Sequence, residues 1–180
     1  MTTPDTDPTP TFAARLDAIN VAIGHAVSWL TLLMVLNIFI VVVLRYFFDT
    51  GWIAMQESAI YLHATNFMLG SAFTLAQDGH VRVDIFYQKF SPRGRAWVDL
   101  LGTLFLLLPV CAFIFWASLD YVASAWHIRE ASPEAGGLPW LYVLKSLLLL
   151  MPVLLLIQGT VWVLTSLQTL RTGVTPAGEV

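Results

Sequence analysis

Cysteine occurs once in this chain of 180 residues, at Cys111. A disulfide framework needs pairs and a CxxC redox centre needs two neighbouring thiols, so both are excluded. With them goes a four-helix thiol oxidoreductase of the membrane. Charge is scarce too: Asp, Glu, Lys and Arg make up 12% of the chain, against roughly 25% in soluble domains. There is no basic run and the formal net charge is −3, so a nucleic-acid partner has no electrostatic footprint. Also missing are a GxGxxG turn, a Walker loop, an HExxH pair and a Ser/His/Asp arrangement, so no enzyme site is visible. No internal repeat is evident. What the chain has instead is apolar surface, with 57% hydrophobic residues. A disordered solvating chain is excluded by that balance, and a soluble enzyme of this length could not hide so much of it. One compact all-α integral membrane domain remains, with no cofactor implied.

Four long apolar stretches carry that reading, at about 21–44, 53–75, 100–125 and 138–167. The first holds no Asp, Glu, Lys or Arg; each of the others holds one, respectively Glu57, Asp120 and Lys145. All exceed the roughly 18–20 residues that span a hydrocarbon core of about 30 Å, and in lipid each must be helical to satisfy its own backbone. Four transmembrane helices within residues 11–170 are expected, flanked by tails at 1–10 and 171–180. The first ten residues are polar, acidic and proline-rich, as in disordered tails, and do not read as a signal peptide, having no basic n-region and no A-x-A site before an apolar core.

The basic residues give an orientation. Arg15, Arg82, Lys89, Arg93, Arg95 and Arg171 fall in the two tails and the middle connection, Arg45 and Arg129 in the other two connections. The positive-inside rule then puts both termini and the middle connection in the cytoplasm. That connection contributes an interfacial segment at 78–98, with Asp78-Gly79 as the turn out of span two. His80, Arg82, Asp84, Lys89, Arg93 and Arg95 are its polar members, and an amphipathic helix in the interface plane fits the spacing of Val81, Ile85 and Phe86. The alternation Val81-Arg82-Val83-Asp84 would also suit a short strand, less favoured because no partner strand is visible. Ser91 followed by Pro92 reads as an N-cap with proline at the first helical position, so a new helix should start there.

Ionisable residues within spans are functional candidates by default. By helix rise, Glu57 lies about 7 Å below Trp52 and Lys145 about 9 Å below Pro139. Asp120 falls near the outer end of span three, and Arg45 ends span one on that side. An outer-leaflet ion-pair cluster of Arg45, Glu57, Asp120 and Lys145 is expected, with Lys145 paired to Glu57 or Asp120. Its plainest role is to tie helices together; a transport or proton-relay role and simple snorkelling to the interface are the alternatives. Gln56, His63, Asn66 and Gly70 follow steps of seven, three and four, so they share a face of span two suited to contact with another helix, of this chain or of a partner. Asn37 and Gln158 read as interhelical hydrogen bonds. A b-type haem needs facing histidines at matched depth, and His25 and His63 are not matched. Pro109 and Pro152 are placed to kink their spans.

Arg45 at the end of span one, Trp52 and Glu57 opening span two, and the block Asp78-Gly79-His80-Val81-Arg82-Val83-Asp84 after it resemble the small permease (DctQ-like) subunit of tripartite ATP-independent periplasmic (TRAP) transporters. The run Ser91-Pro92-Arg93-Gly94-Arg95-Ala96-Trp97-Val98-Asp99, with Gly136-Gly137-Leu138-Pro139 and Leu144-Lys145-Ser146, is similar to the subgroup described for mannitol and chloroaromatic compounds. The Trp52–Glu57 spacing is five, where many members have three. The resemblance covers roughly 17–167 and implies a bacterial inner-membrane importer of organic acids. Its large permease subunit would carry the sodium and substrate sites, and a periplasmic substrate-binding protein would dock on the complex. This chain would then be the non-catalytic scaffold beside the large subunit, in contact with membrane lipid.

Two other readings compete. One is a self-sufficient small homodimeric transporter using Glu57, whose acid should then lie near the midplane. The other is a membrane anchor for a redox enzyme, which would need matched axial ligands.

Overall fold

The computed structural model describes residues 11–80, 87 and 89–172. They form four antiparallel helical rods, and no strand occurs among the described residues. Helix α1 spans Thr11–Phe47. At 37 residues it is about 55 Å long, well beyond a hydrocarbon core of about 30 Å. It ends where the Phe48 and Thr50 N–H groups both donate to the Leu44 carbonyl at 3.1 Å. Asp49, with φ of 49°, turns the chain into α2 (Ile53–Ala76). The exit from α2 uses the expected turn: Asp78 has φ of 53°, and Gly79 N donates to Thr74 O at 2.8 Å.

The third rod is built in two pieces. Helix α3 (Pro92–Gly102) starts as its sequence requires, with Ser91 Oγ accepting a hydrogen bond from Gly94 N at 3.2 Å and Pro92 in the first turn. A wide π-helical turn, Thr103–Leu107, then leads into α4 (Leu108–Ile128). Pro109 has no N–H to give the preceding turn, and a π turn is one way a helix absorbs that gap. Arg129, left-handed at φ 47°, stops α4. The fourth rod is a short α5 (Leu141–Lys145) followed by α6 (Leu147–Thr172), with Pro152 buried inside it.

Helix α6 is the centre of the bundle, packed against α1, α2, α3 and α4. Its Gly159 permits that closeness: a Cβ there would sit 2.9 Å from Leu108 Cδ2 and 3.0 Å from Leu107 Cδ2, at the π turn. Helix α1 is peripheral, with 6% of its most apolar window buried against 33% for the fourth rod. Among the described residues three rods are long and apolar enough to cross a membrane: Phe12–Phe47, Pro92–Ile128 and Leu141–Thr172. Helix α2 has the length, at 24 residues, but Gln56, Glu57, His63 and Asn66 make it more polar. Two expected boundaries shift. The third rod begins at Pro92, so 92–98 of the expected interfacial segment are the first turns of that helix. The fourth begins at Leu141, because 138–140 are part of a folded loop.

Candidate functional site

Two charged side chains, Glu57 and Lys145, organise one end of the bundle, here called distal, where α1 and α4 finish and α2 and α5 start. Glu57 lies in the second turn of α2. Its carboxylate faces loop 129–140, where Oε2 accepts from Leu138 N at 2.6 Å and Oε1 accepts from Ser132 Oγ. Ser132 also closes the loop on itself: its N–H donates to Leu138 O at 3.0 Å and its Oγ accepts from Glu134 N at 3.1 Å. Gly137 makes room for the acid, since a Cβ there would meet Glu57 Oε1 at 2.8 Å and Ser132 Oγ at 2.5 Å. Its neighbour Gly136 takes φ of +83°, a backbone that favours glycine.

Lys145 closes the other side. Its Nζ reaches Glu130 Oε2 at 2.5 Å and lies 4.2 Å from the centroid of the Tyr121 ring, a cation–π contact. Glu130 is fixed by its backbone: its N–H donates to Ala125 O at 3.0 Å and its carbonyl accepts from Tyr142 N at 3.2 Å. Alongside, Trp126 Nε1 donates to Ser146 Oγ at 2.8 Å and the indole meets the Tyr142 ring edge-on at 4.7 Å. Irregular backbone next to a bilayer is tolerated where protein groups satisfy it, and each of these charges satisfies part of this loop.

The expected four-residue cluster therefore divides. Lys145 takes Glu130 instead of Glu57 or Asp120, and Glu57 takes a hydroxyl and a backbone N–H. Arg45 and Asp120 are exposed, and among the described residues neither forms an ion pair. The physical reason is that loop 129–140 folds inward and brings its own partners, which depth counting along helices cannot foresee.

The span-two face divides as well. Gln56 and His63 point outward and are exposed, with the imidazole stacked at 6.2 Å from Phe67. Asn66 and Gly70 are half-buried and line an open groove of about 510 Å³ between α1 and α2, together with Gly24, Val27, Ser28 and His80. Near the foot of that groove α1 and α2 touch closely. A Cβ on Gly24 would lie 2.1 Å from the Phe73 ring, and the His25 ring is 5.3 Å from it. Of the interfacial residues, His80, Lys89, Arg93 and Arg95 are exposed, and the Arg95 guanidinium lies 5.5 Å over the Tyr87 ring. Arg82 and Asp84, with the helix-or-strand choice for 81–86, lie outside the described residues.

Both isolated amides make interhelical bonds. Asn37 Nδ2 donates to Met55 O and Ser58 Oγ, each at 2.9 Å. Gln158 Oε1 accepts from Asn20 Nδ2 at 2.8 Å, and its Nε2 donates to Asp17 Oδ1 at 2.9 Å. Asn20 and Gln158 are each 1% exposed. Among the described residues no group of three or more His, Cys, Asp or Glu side chains is placed to hold a metal ion.

A family model described as "Tripartite ATP-independent periplasmic transporters, DctQ component" matches residues 34–169, well over half of the chain. The chain belongs to that family. It is a small TRAP transporter component, a membrane transport protein. No curated protein and no solved structure matches it.

In this DctQ component, sequence reasoning missed Glu130, Ser132, Asp17 and Asn20 as partners. Ser132 sits in the Pro/Gly-rich stretch 132–137, which reads as a loop leading into the fourth span, and Glu130 just precedes it. Their signal was its Gly136-Gly137 pair, which lets backbone and carboxylate approach. Asn20 had a signal of its own, a lone amide where α1 becomes apolar.

Proposed function

We propose that this DctQ component is a non-catalytic scaffold: a four-span subunit that holds a large permease subunit in the inner membrane, while that partner carries the sodium and substrate sites. One observation carries the reading. Of the three charges within the apolar stretches, two are engaged by their own chain, Glu57 by Ser132 and Leu138 and Lys145 by Glu130, and the third, Asp120, is exposed on α4. A coupling carboxylate must be free to exchange its ion during the cycle; one that also holds a loop in place is poorly suited to it. Substrate sites of secondary transporters are built near the midplane from discontinuous helices, whereas the irregular backbone here lies at the distal rim.

Orientation follows from the basic residues: both termini in the cytoplasm and loop 129–140 on the periplasmic side. Helix α2 is the fourth span, screened by α1 and α6, against which it packs. The loop surface beside Trp126 and Trp140, 51% and 54% exposed, then faces the compartment from which a substrate-binding protein would dock. The transported compound is an organic acid, and the similarity of 91–99 and 136–139 to the mannitol/chloroaromatic subgroup supports that substrate range.

The test is recovery of the C-terminally tagged subunit from detergent-solubilised native membranes. Stoichiometric recovery of a large multi-span permease is expected. Recovery of the subunit alone, or with a flavin or iron–sulfur enzyme, would overturn the proposal. The homodimer alternative predicts that Glu57→Gln abolishes uptake without disturbing assembly; the scaffold predicts that any loss of uptake follows loss of assembly.

A further inference from the structure

Helix α2 carries an exposed stripe at helical spacing: Ile53, Gln56, Ile60, His63 and Phe67. Ile60 is 59% and Phe67 69% exposed, as lipid-facing residues are. Gln56 and His63 are different. Both are exposed, and among the described residues neither side chain has a hydrogen-bond partner.

The depth of the stripe follows from the contacts of α2 with α1. Toward its start, Met55 and Ser58 receive the Asn37 amide. Toward its end, Phe73 lies on Gly24 and His25. His63 therefore sits level with α1 between positions 24 and 37, inside the stretch that lacks Asp, Glu, Lys and Arg. An imidazole there would face hydrocarbon, and the Gln56 amide, about 10 Å along the helix toward the distal rim, continues the same exposed face. Acyl chains offer neither donor nor acceptor, and unsatisfied polar groups in hydrocarbon are expensive. Helix α4 behaves otherwise along its middle: its exposed Phe113 and Trp116, at 65% and 74%, need nothing that lipid lacks, and the exposed Asp120 on the same face lies about a turn further toward the distal end.

We infer that the Gln56–His63 face of α2 seats a transmembrane helix of a different protein, the large permease subunit, and that the α4 face meets lipid. The inference rests on the scaffold reading for the partner's identity. Polar complementarity argues for the occupant: it must present hydrogen-bonding side chains or open backbone about two turns apart, as polar interhelical contacts in bilayers do. Continuity supports it, because the groove beside Asn66 and Gly70 adjoins this face and lets a helix approach.

The experiment places a photo-crosslinking amino acid singly at positions 63, 67, 113 and 116 of the full chain, co-expressed with the complete transporter. Adducts with the large permease are expected from 63 and 67, with only lipid adducts from 113 and 116. Permease adducts from 113 or 116 and none from 63 or 67, or adducts of 63 with a second copy of this chain, would overturn the assignment. Absence of the permease from the uncrosslinked wild-type complex would instead sink the scaffold reading beneath it. A second measurement uses Gln56→Leu with His63→Leu, which suits a lipid-facing surface and leaves the isolated subunit folded. Permease association should weaken about 5- to 10-fold, the size that two interhelical hydrogen bonds carry in a bilayer. Unchanged association would count against the face.

Discussion

At the distal end, irregular backbone folds inward onto two charged side chains. Toward the other end, whole helices meet through amides, the Asp17 carboxylate that Gln158 reaches, and glycine. The difference follows from what each region must satisfy. Loop 129–140 brings backbone N–H groups that no helix ladder supplies, and a carboxylate accepts such bonds more strongly than a neutral group; Glu57 takes Leu138 N at 2.6 Å. Helices α1, α2 and α6 satisfy their own backbones, so closeness and a matched amide pair suffice. Gly24 against Phe73 supplies the closeness, and Asn20 with Gln158 the match.

The largest expected effect breaks the helix side of this comparison. Gly24→Leu puts a side chain where even a Cβ would lie 2.1 Å from the Phe73 ring, so α1 and α2 must part. Thermal unfolding of the purified subunit should show a loss of about 1–3 kcal/mol or more. Gly70→Ala is the control, since nothing lies within 4 Å of its added Cβ. Equal behaviour of the two variants would show that the close approach is not a constraint. Next comes Gln158→Leu, which leaves Asn20 Nδ2 only the Leu154 carbonyl at 3.3 Å and takes the amide donor from Asp17; it should destabilise by about 1–2 kcal/mol. Adding Asn20→Leu should recover part of that, because two matched apolar groups leave less unsatisfied than one amide with half its bonds. A double variant as weak as the sum of the singles would show that the amides act separately.

These contacts mark how far the sequence could be read. The apolar runs became rods because in lipid a helix alone satisfies its backbone, and local rules held at Asp78-Gly79 and at Ser91-Pro92. Asn37 and Gln158 were legible as interhelical amides, but not their partners, since Asn20 and Gln158 are 138 positions apart. Depth arithmetic put Glu57 and Lys145 at one end of the bundle. It missed their bonds because it treats loops as outside, and Glu130, Ser132 and Leu138 come back in. The face of α2 was read as one surface, yet Asn66 and Gly70 turn toward α1 while Gln56 and His63 turn away. Spacing along one helix does not say where its neighbours stand.

The loop side is sharpened by a local measurement. Glu57→Ala removes both acceptors from loop 129–140, and Glu57→Gln keeps one carbonyl oxygen for either Leu138 N or Ser132 Oγ. Protease cleavage between 132 and 137 in right-side-out vesicles should rise most for Ala and less for Gln. Lys145→Met, which frees Glu130, should raise it too. Global unfolding should shift less than for Gly24→Leu, because loop opening is a sub-global event. Unchanged cleavage in all three variants would mean that the turn geometry holds the loop without the charges.

The smallest expected effect asks whether the helix end away from the loop depends on side-chain acceptors at all. Ser91 Oγ accepts from Gly94 N at 3.2 Å, one of the N–H groups a helix start leaves open. Ser91→Ala should cost about 1 kcal/mol and Ser91→Gly a few tenths, read as fraying of α3 by amide exchange at 92–95. Ser91→Asp keeps an acceptor and adds a charge favourable to the helix dipole, so it should match or exceed the wild type. If Asp frays α3 as Ala does, the start of the third rod is held by its packing on α6 instead of by its cap. Both ends of the bundle would then depend on tertiary contacts, the distal one through charge and the other through shape.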